Sequence, residues 1–283
     1  MNLGIIEIDV LNPGVSLYLH LIAMYAYLFS GILFILKPIL KNRIISTLAV
    51  SSLAVGFIPD LLGWFYGWFE LGRIPLANMS EFAFVMTCIS SGLFLALIYK
   101  YKEPSIGTFV VPLIFMTSYT GIYFYTGVHT ELVPALQSHW LTWHVLLAAV
   151  GSGAFLVSAA VSTAYLFKIS VSEENLFSKL LPKASLLDKI NYQSVSIGYP
   201  LYTIGALFFG SIWAQYAWGT FWGWDPKEIG ALIIWIFYSA YLHARLKKGW
   251  KERKAAWMSI IGFIMVAVSF FGNNFLGGNH GYG

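Results

Sequence analysis

An all-α integral membrane protein with about eight transmembrane helices is the fold class this sequence predicts. Three observations carry the prediction. Hydrophobic residues make up 58% of the 283-residue chain and charged residues only 11%, against roughly 25% charged in a soluble globular domain. The apolar residues come in unbroken runs of about 20, the length a helix needs to cross ~30 Å of hydrocarbon. The Lys and Arg residues collect in alternate connections between those runs. Unbroken runs also exclude a barrel, whose strands alternate apolar with polar residues over about ten positions.

The runs follow in order, each with its own boundaries. Val15–Leu36 ends against Lys37 and Pro38. Ile44–Phe69 follows Arg43 and stops at Glu70. Phe82–Tyr99 lies between Glu81 and Lys100. Ser105–Thr126 follows Pro104, and Leu141–Phe167 ends at Lys168. The segment from Ser170 to Asn191, with mixed charges and Pro182, reads as a connector carrying a short surface helix. Val195–Tyr216 is the sixth run. Pro226–Leu246 opens on an Asp-Pro pair, and Ala255–Phe271 follows the densest basic stretch. The expected organisation is one polytopic domain over residues 1–283.

Sidedness follows from the basic residues, because basic connections stay in the cytoplasm. Fifteen of the seventeen Lys and Arg fall at connections 1–2, 3–4, 5–6 and 7–8, and only Arg73 and Lys227 lie on the other side. Both termini and connections 2–3, 4–5 and 6–7 are therefore expected outside. The net charge of +4 belongs to membrane topology and lipid contact, with no nucleic-acid partner implied. The single cysteine, Cys88, and the lack of CxxC or CxxCH exclude thiol exchange and covalently attached haem on this chain. Glu7 and Asp9 within the first ten residues point away from a cleavable signal peptide.

The densest chemical feature is the outward segment 213–228, where Trp213, Trp218, Trp222 and Trp224 fall within twelve residues. An interfacial aromatic belt accounts for one or two of them. Concentration in one loop, with Tyr216, Phe221 and two glycines, suits a shelf for a large planar ligand. Asp225-Pro226-Lys227-Glu228 has the N-cap, N1 and N3 residues of a helix start, and Asn78-Met79-Ser80-Glu81 offers a similar opening for the third span. Of six histidines, His129, His139, His144 and His280 fall on the outer side, while His20 and His243 lie in spans. His139 and His144 are five residues apart, about 140° around a helix, so they do not share one ligand. Two imidazoles from distant spans closing on a flat aromatic shelf describe a bis-histidine haem site. Asp60, beside Pro59, is the carboxylate set well inside a span. It is either a proton relay or a group bonded to a neighbour or to water.

With these residues in view, the chain resembles the CcsA/ResC branch of the haem-handling proteins of cytochrome c maturation. The stretch from Trp218, W-G-x-x-W-x-W-D-P-K-E, resembles that family's WWD signature. Segments around His139 to His144, Tyr241 to Arg245, Arg73 to Glu81 and Leu276 to Tyr282 resemble other family stretches. The tail reads Asn-His-Gly-Tyr where Leu-His-Ser-Tyr is usual, and Ser80 stands where an aromatic is common.

The resemblance implies a subunit of a cytochrome c synthase that receives non-covalent haem b at the cytoplasmic side and presents it outside to the CxxCH thiols of an apocytochrome c. It implies His144 and His280 as axial ligands of an outer haem, with Trp218, Trp222, Trp224 and Asp225 around it. His243 would be one ligand of an inner haem, with Arg245 beside a propionate. The second inner ligand would come from a CcsB/ResB-like membrane partner, His20 being a weaker substitute. A thioredoxin-like protein would keep the thiols reduced. The expected location is a bacterial cytoplasmic membrane or a thylakoid membrane. The alternatives are a CcmC-like haem delivery protein, a haem exporter without ligation activity, and a quinone-linked b-type cytochrome.

Overall fold

The computed structural model describes residues 14–40, 42–125 and 132–276, the last four by backbone alone; His129 and His280 lie outside the described residues. Among the described residues, eight helices are long and apolar enough to cross a membrane. They comprise α1 (Val15–Leu40), α2 (Arg43–Leu71), α3 (Met79–Tyr101), α4 (Gly107–Tyr123) and α5 (His139–Ser170), followed past the short α6 (Leu176–Leu180) by a long composite helix. That helix runs as α7 (Ala184–Tyr202), a π-helical stretch (Thr203–Phe209) and α8 (Gly210–Trp218). The last two are α9 (Pro226–Lys247) and α10 (Glu252–Leu276).

The chain passes up and down, so the starts of α1, α3, α5 and α9 and the ends of α2, α4, α8 and α10 share one face, the tryptophan end. The opposite face is the basic end. Exposed apolar residues such as Val55, Ile58 and Leu62 on α2 and Ile229, Ile233 and Ile236 on α9 suit a lipid environment, where the usual inside-out rule for side chains relaxes.

One boundary differs from the sequence expectation by more than a turn or so. The sixth span begins at Ala184 rather than Val195, absorbing part of the expected connector. The polar residues that made this part read as a connector are satisfied across space. Asp188 receives Arg245 Nη1 and Nη2 at 2.7 Å each, and the Glu252 backbone N–H at 2.8 Å. Asn191 Oδ1 accepts from Ser158 at 2.7 Å and Ser259 at 2.6 Å.

The most enclosed helix is α5, rich in Gly, Ala and Ser on the faces it turns to its neighbours. Small residues let backbones approach closely in a membrane bundle, where packing rather than water expulsion drives association. A Cβ on Gly151 would sit 2.6 Å from Tyr202 Cβ, and one on Gly205 only 2.5 Å from the Ala148 backbone nitrogen. Those contacts fix α5 against α7 and the π stretch.

Some polar residues inside the bundle are paired, while the hydroxyls of Ser118, Ser162, Ser194 and Tyr238 have no hydrogen-bond partner among the described residues. His20 Nδ1 lies 2.8 Å from Asp60 Oδ1, and the Tyr27 hydroxyl donates to Asp60 Oδ2 at 3.1 Å. The His20 ring stacks on Phe84 at 3.6 Å. Asp60 is thus bonded to two neighbours across α1 and α2. This pairing also removes His20 as a substitute ligand beside His243. His20 lies in the second turn of α1 at the tryptophan end, while His243 is near the opposite end of α9.

Candidate functional site

Two helix starts and one helix irregularity build a cavity at the tryptophan end. Asn78 caps α3 by accepting the Glu81 N–H at 2.9 Å. Glu81 reaches back to the Ala77 N–H at 2.6 Å and also accepts from the Asn78 side-chain amide at 3.1 Å. Its carboxylate also takes Arg73 Nη1 at 2.9 Å and Nη2 at 2.7 Å, so Arg73 is fully engaged. Asp225 caps α9, with the Lys227 N–H at 2.9 Å, and Glu228 Oε2 accepts from the Asp225 N–H at 3.1 Å and the Gly223 N–H at 2.8 Å. The expected Asp-Pro-x-Glu helix start is present in full.

Between these starts lies a cavity of about 200 Å³ that opens toward solvent, walled by α3, α5, the π stretch, α8, α9 and α10. Its walls are largely apolar, including Phe82, Val145, Ala206, Ile234 and Val266.

His144, one turn and a half into α5, faces this space. Its Nδ1 lies 2.9 Å from the Gly205 carbonyl, which only accepts, so Nδ1 carries the hydrogen. In a neutral imidazole that leaves the Nε2 lone pair unused, and Nε2 has no partner among the described residues. The ring stacks nearly parallel to Trp213, 5.7 Å between centroids. The π stretch supplies the orienting acceptor: the Gly205 carbonyl receives the Gly210 N–H, five residues on, together with the imidazole. Such single-turn irregularities recur at functional sites. His139, the first residue of α5, is exposed and lies outside the cavity lining.

The remaining expected residues divide. Trp218 closes α8 and meets Trp213 edge-on at 4.7 Å. Trp222 and Trp224 lie in the loop that follows, 5.9 Å apart and edge-on, outside the cavity lining. Trp224 is 67% exposed and holds a left-handed backbone, φ +58°, which is unfavourable for a large L-residue. His243 is exposed on α9, the eighteenth of its 22 residues, and does not meet the others. Arg245 is not free for a propionate, because its guanidinium is spent on Asp188. His280 lies outside the described residues. Trp213 was not among the expected site residues, yet it is 2% exposed, lines the cavity and donates its indole N–H to the Ala135 carbonyl at 2.8 Å. Its place within the sixth apolar run, ahead of the loop, was the signal that it is a buried member of the tryptophan group.

The family described as Cytochrome C assembly protein matches residues 76–280. The cytochrome c biogenesis protein CcsA of Mesostigma viride is 34% identical, with 99% of each chain covered. CcsA of Guillardia theta is 32% identical over 98% of each. Among solved structures, the cytochrome c haem lyase CcmF has a similar fold, with a TM-score of 0.68 at 16% identity over 91% of this chain. This chain spans 48% of that one.

Proposed function

The chain belongs to the cytochrome c assembly family, in its CcsA group, and from that premise we propose that it is the haem-handling subunit of a cytochrome c synthase. It acts in cytochrome c maturation as a multi-pass membrane protein. In this reading it takes up haem b non-covalently near the basic, cytoplasmic end and presents it outside to the CxxCH thiols of an apocytochrome c. The membrane is a bacterial cytoplasmic or thylakoid one, with both termini and the tryptophan loop outside.

One observation carries the reading: His144 presents an unused Nε2 lone pair, on a ring oriented by Gly205 and Trp213, into a largely apolar cavity at the tryptophan end. A histidine whose far nitrogen is held by a carbonyl has its tautomer and direction set for iron. The second outer ligand is His280. Trp218, Trp222 and Trp224 supply a shelf beyond the cavity mouth, and Asp225 holds that shelf in place by capping α9.

The chemistry asked of the protein is modest. Each thioether forms by adding a cysteine S–H across a haem vinyl group: a C–S bond forms, the hydrogen goes to the neighbouring vinyl carbon, and no electrons are gained or lost. Haem and thiols arrive reduced, the thiols kept so by a thioredoxin-like protein. This chain's residues bind, orient and exclude water. At the basic end, His243 gives one ligand to an inner haem and a CcsB/ResB-like partner gives the other.

The test is spectroscopic. In the purified chain loaded with haem, His144→Gly and His280→Gly should each abolish the low-spin six-coordinate spectrum, and free imidazole should restore it. His139→Ala should leave it in place. An unchanged spectrum in both glycine variants removes the outer site.

A further inference from the structure

We propose that Lys227 holds a propionate of the bound haem and so fixes which edge of the macrocycle faces the incoming peptide; this rests on the outer-site reading above. The cavity that His144 enters has one cationic side chain in its lining, Lys227, in the first turn of α9. Its ammonium makes no hydrogen bond or ion pair among the described residues. Asp225, two residues before it, caps the helix and attracts the ammonium, and Glu228 places Oε2 on two loop N–H groups while its Oε1 has no hydrogen-bond partner among the described residues. Arg73, the other basic residue of this end, is tied to Glu81.

A cation set in a mostly apolar wall, without a bonded counter-ion, is costly in a membrane protein unless an anion completes it. The ligand class that meets an iron-binding imidazole and an ammonium in one apolar cavity is an iron porphyrin bearing carboxylates. Haem's two propionates share one edge of the ring and its vinyl groups lie elsewhere on the rim. An ion pair at Lys227 therefore turns the vinyl-bearing part away from the start of α9. Iron ligation alone leaves the ring free to rotate about the iron–nitrogen bond, and Lys227 removes that freedom. A phospholipid phosphate is the other anion an ammonium at this depth meets, and the experiment separates the two.

The experiment titrates the full chain in detergent with haem and with haem dimethyl ester, in the wild type, K227M, K227R and His144→Gly, following the Soret band. Lys227→Met should weaken haem binding roughly tenfold, as expected for losing one charge-assisted bond. It should leave the ester's affinity unchanged, and Lys227→Arg should restore most of the haem affinity. Equal loss for haem and ester overturns the propionate pairing, as does unchanged haem affinity with loss of co-purifying phosphatidylglycerol, which assigns the ammonium to a lipid. A wild-type spectrum indifferent to His144→Gly overturns the outer site, and the inference with it. A His144-dependent spectrum identical in K227M overturns the inference alone.

Discussion

At Asp60 the carboxylate is wholly buried, and its two oxygens meet the His20 ring and the Tyr27 hydroxyl. Inside hydrocarbon such groups are stable only as a set, because removing one partner strands the others. Asp60→Ala should therefore cost about 3–5 kcal/mol, read as a lowered thermal midpoint in detergent, whereas Asp60→Asn, which keeps an acceptor, should cost clearly less. An Asp60→Ala protein as stable as wild type would show that the three groups do not depend on one another. Sequence reading finds His20 and Asp60 separately, as polar residues in apolar runs, but not as partners. They are 40 residues apart, and only the packing of α1 on α2 makes them neighbours. His144 differs: its functional role was suggested by resemblance, while its orienting carbonyl, 61 residues away, was beyond reach.

The contact between α5 and the π stretch is what converts a helix pair into a ligand cradle. Gly205 brings its carbonyl within reach of His144 only because it has no side chain, the Ala148 backbone being in the way of any Cβ. Gly205→Ala should cost about 1–3 kcal/mol through overpacking and also lose the His144-dependent haem spectrum. Gly151→Ala, which meets Tyr202 and the Gly198 carbonyl instead, should lower stability to a similar degree while the spectrum survives. Equal spectral loss in both variants would make the effect general unfolding. Element positions were largely readable from apolar run length. The start of α7 was not, because Asp188 and Lys189 resemble a connector until Arg245 is known to sit opposite Asp188. Nor was the π stretch, since its sequence, Thr203 to Phe209, reads as ordinary helix.

Across the whole molecule the two proposed haem positions lie far apart. His144 is the sixth residue of α5, while His243 lies 17 residues into α9, or ~26 Å at the helical rise. His243→Ala should therefore reduce the haem that co-purifies with the assembled complex while haem added from outside still binds at His144. Normal loading would remove the inner role, and loss of external binding would merge the two positions. The floor of the outer cavity bears on how haem passes between them. Below Tyr202 and Ile234 the Phe155 and Tyr238 rings stack at 3.7 Å, Tyr238 is fully buried, and the Asn191 knot lies beyond. On the reading proposed above, that stacked floor stands between the two haem positions and opposes a direct passage through the bundle. Packed aromatic rings and the hydrogen-bonded Asn191 knot at mid-bundle also oppose a continuous file of water, so on the proposed reading the fold suits a membrane that holds a proton gradient.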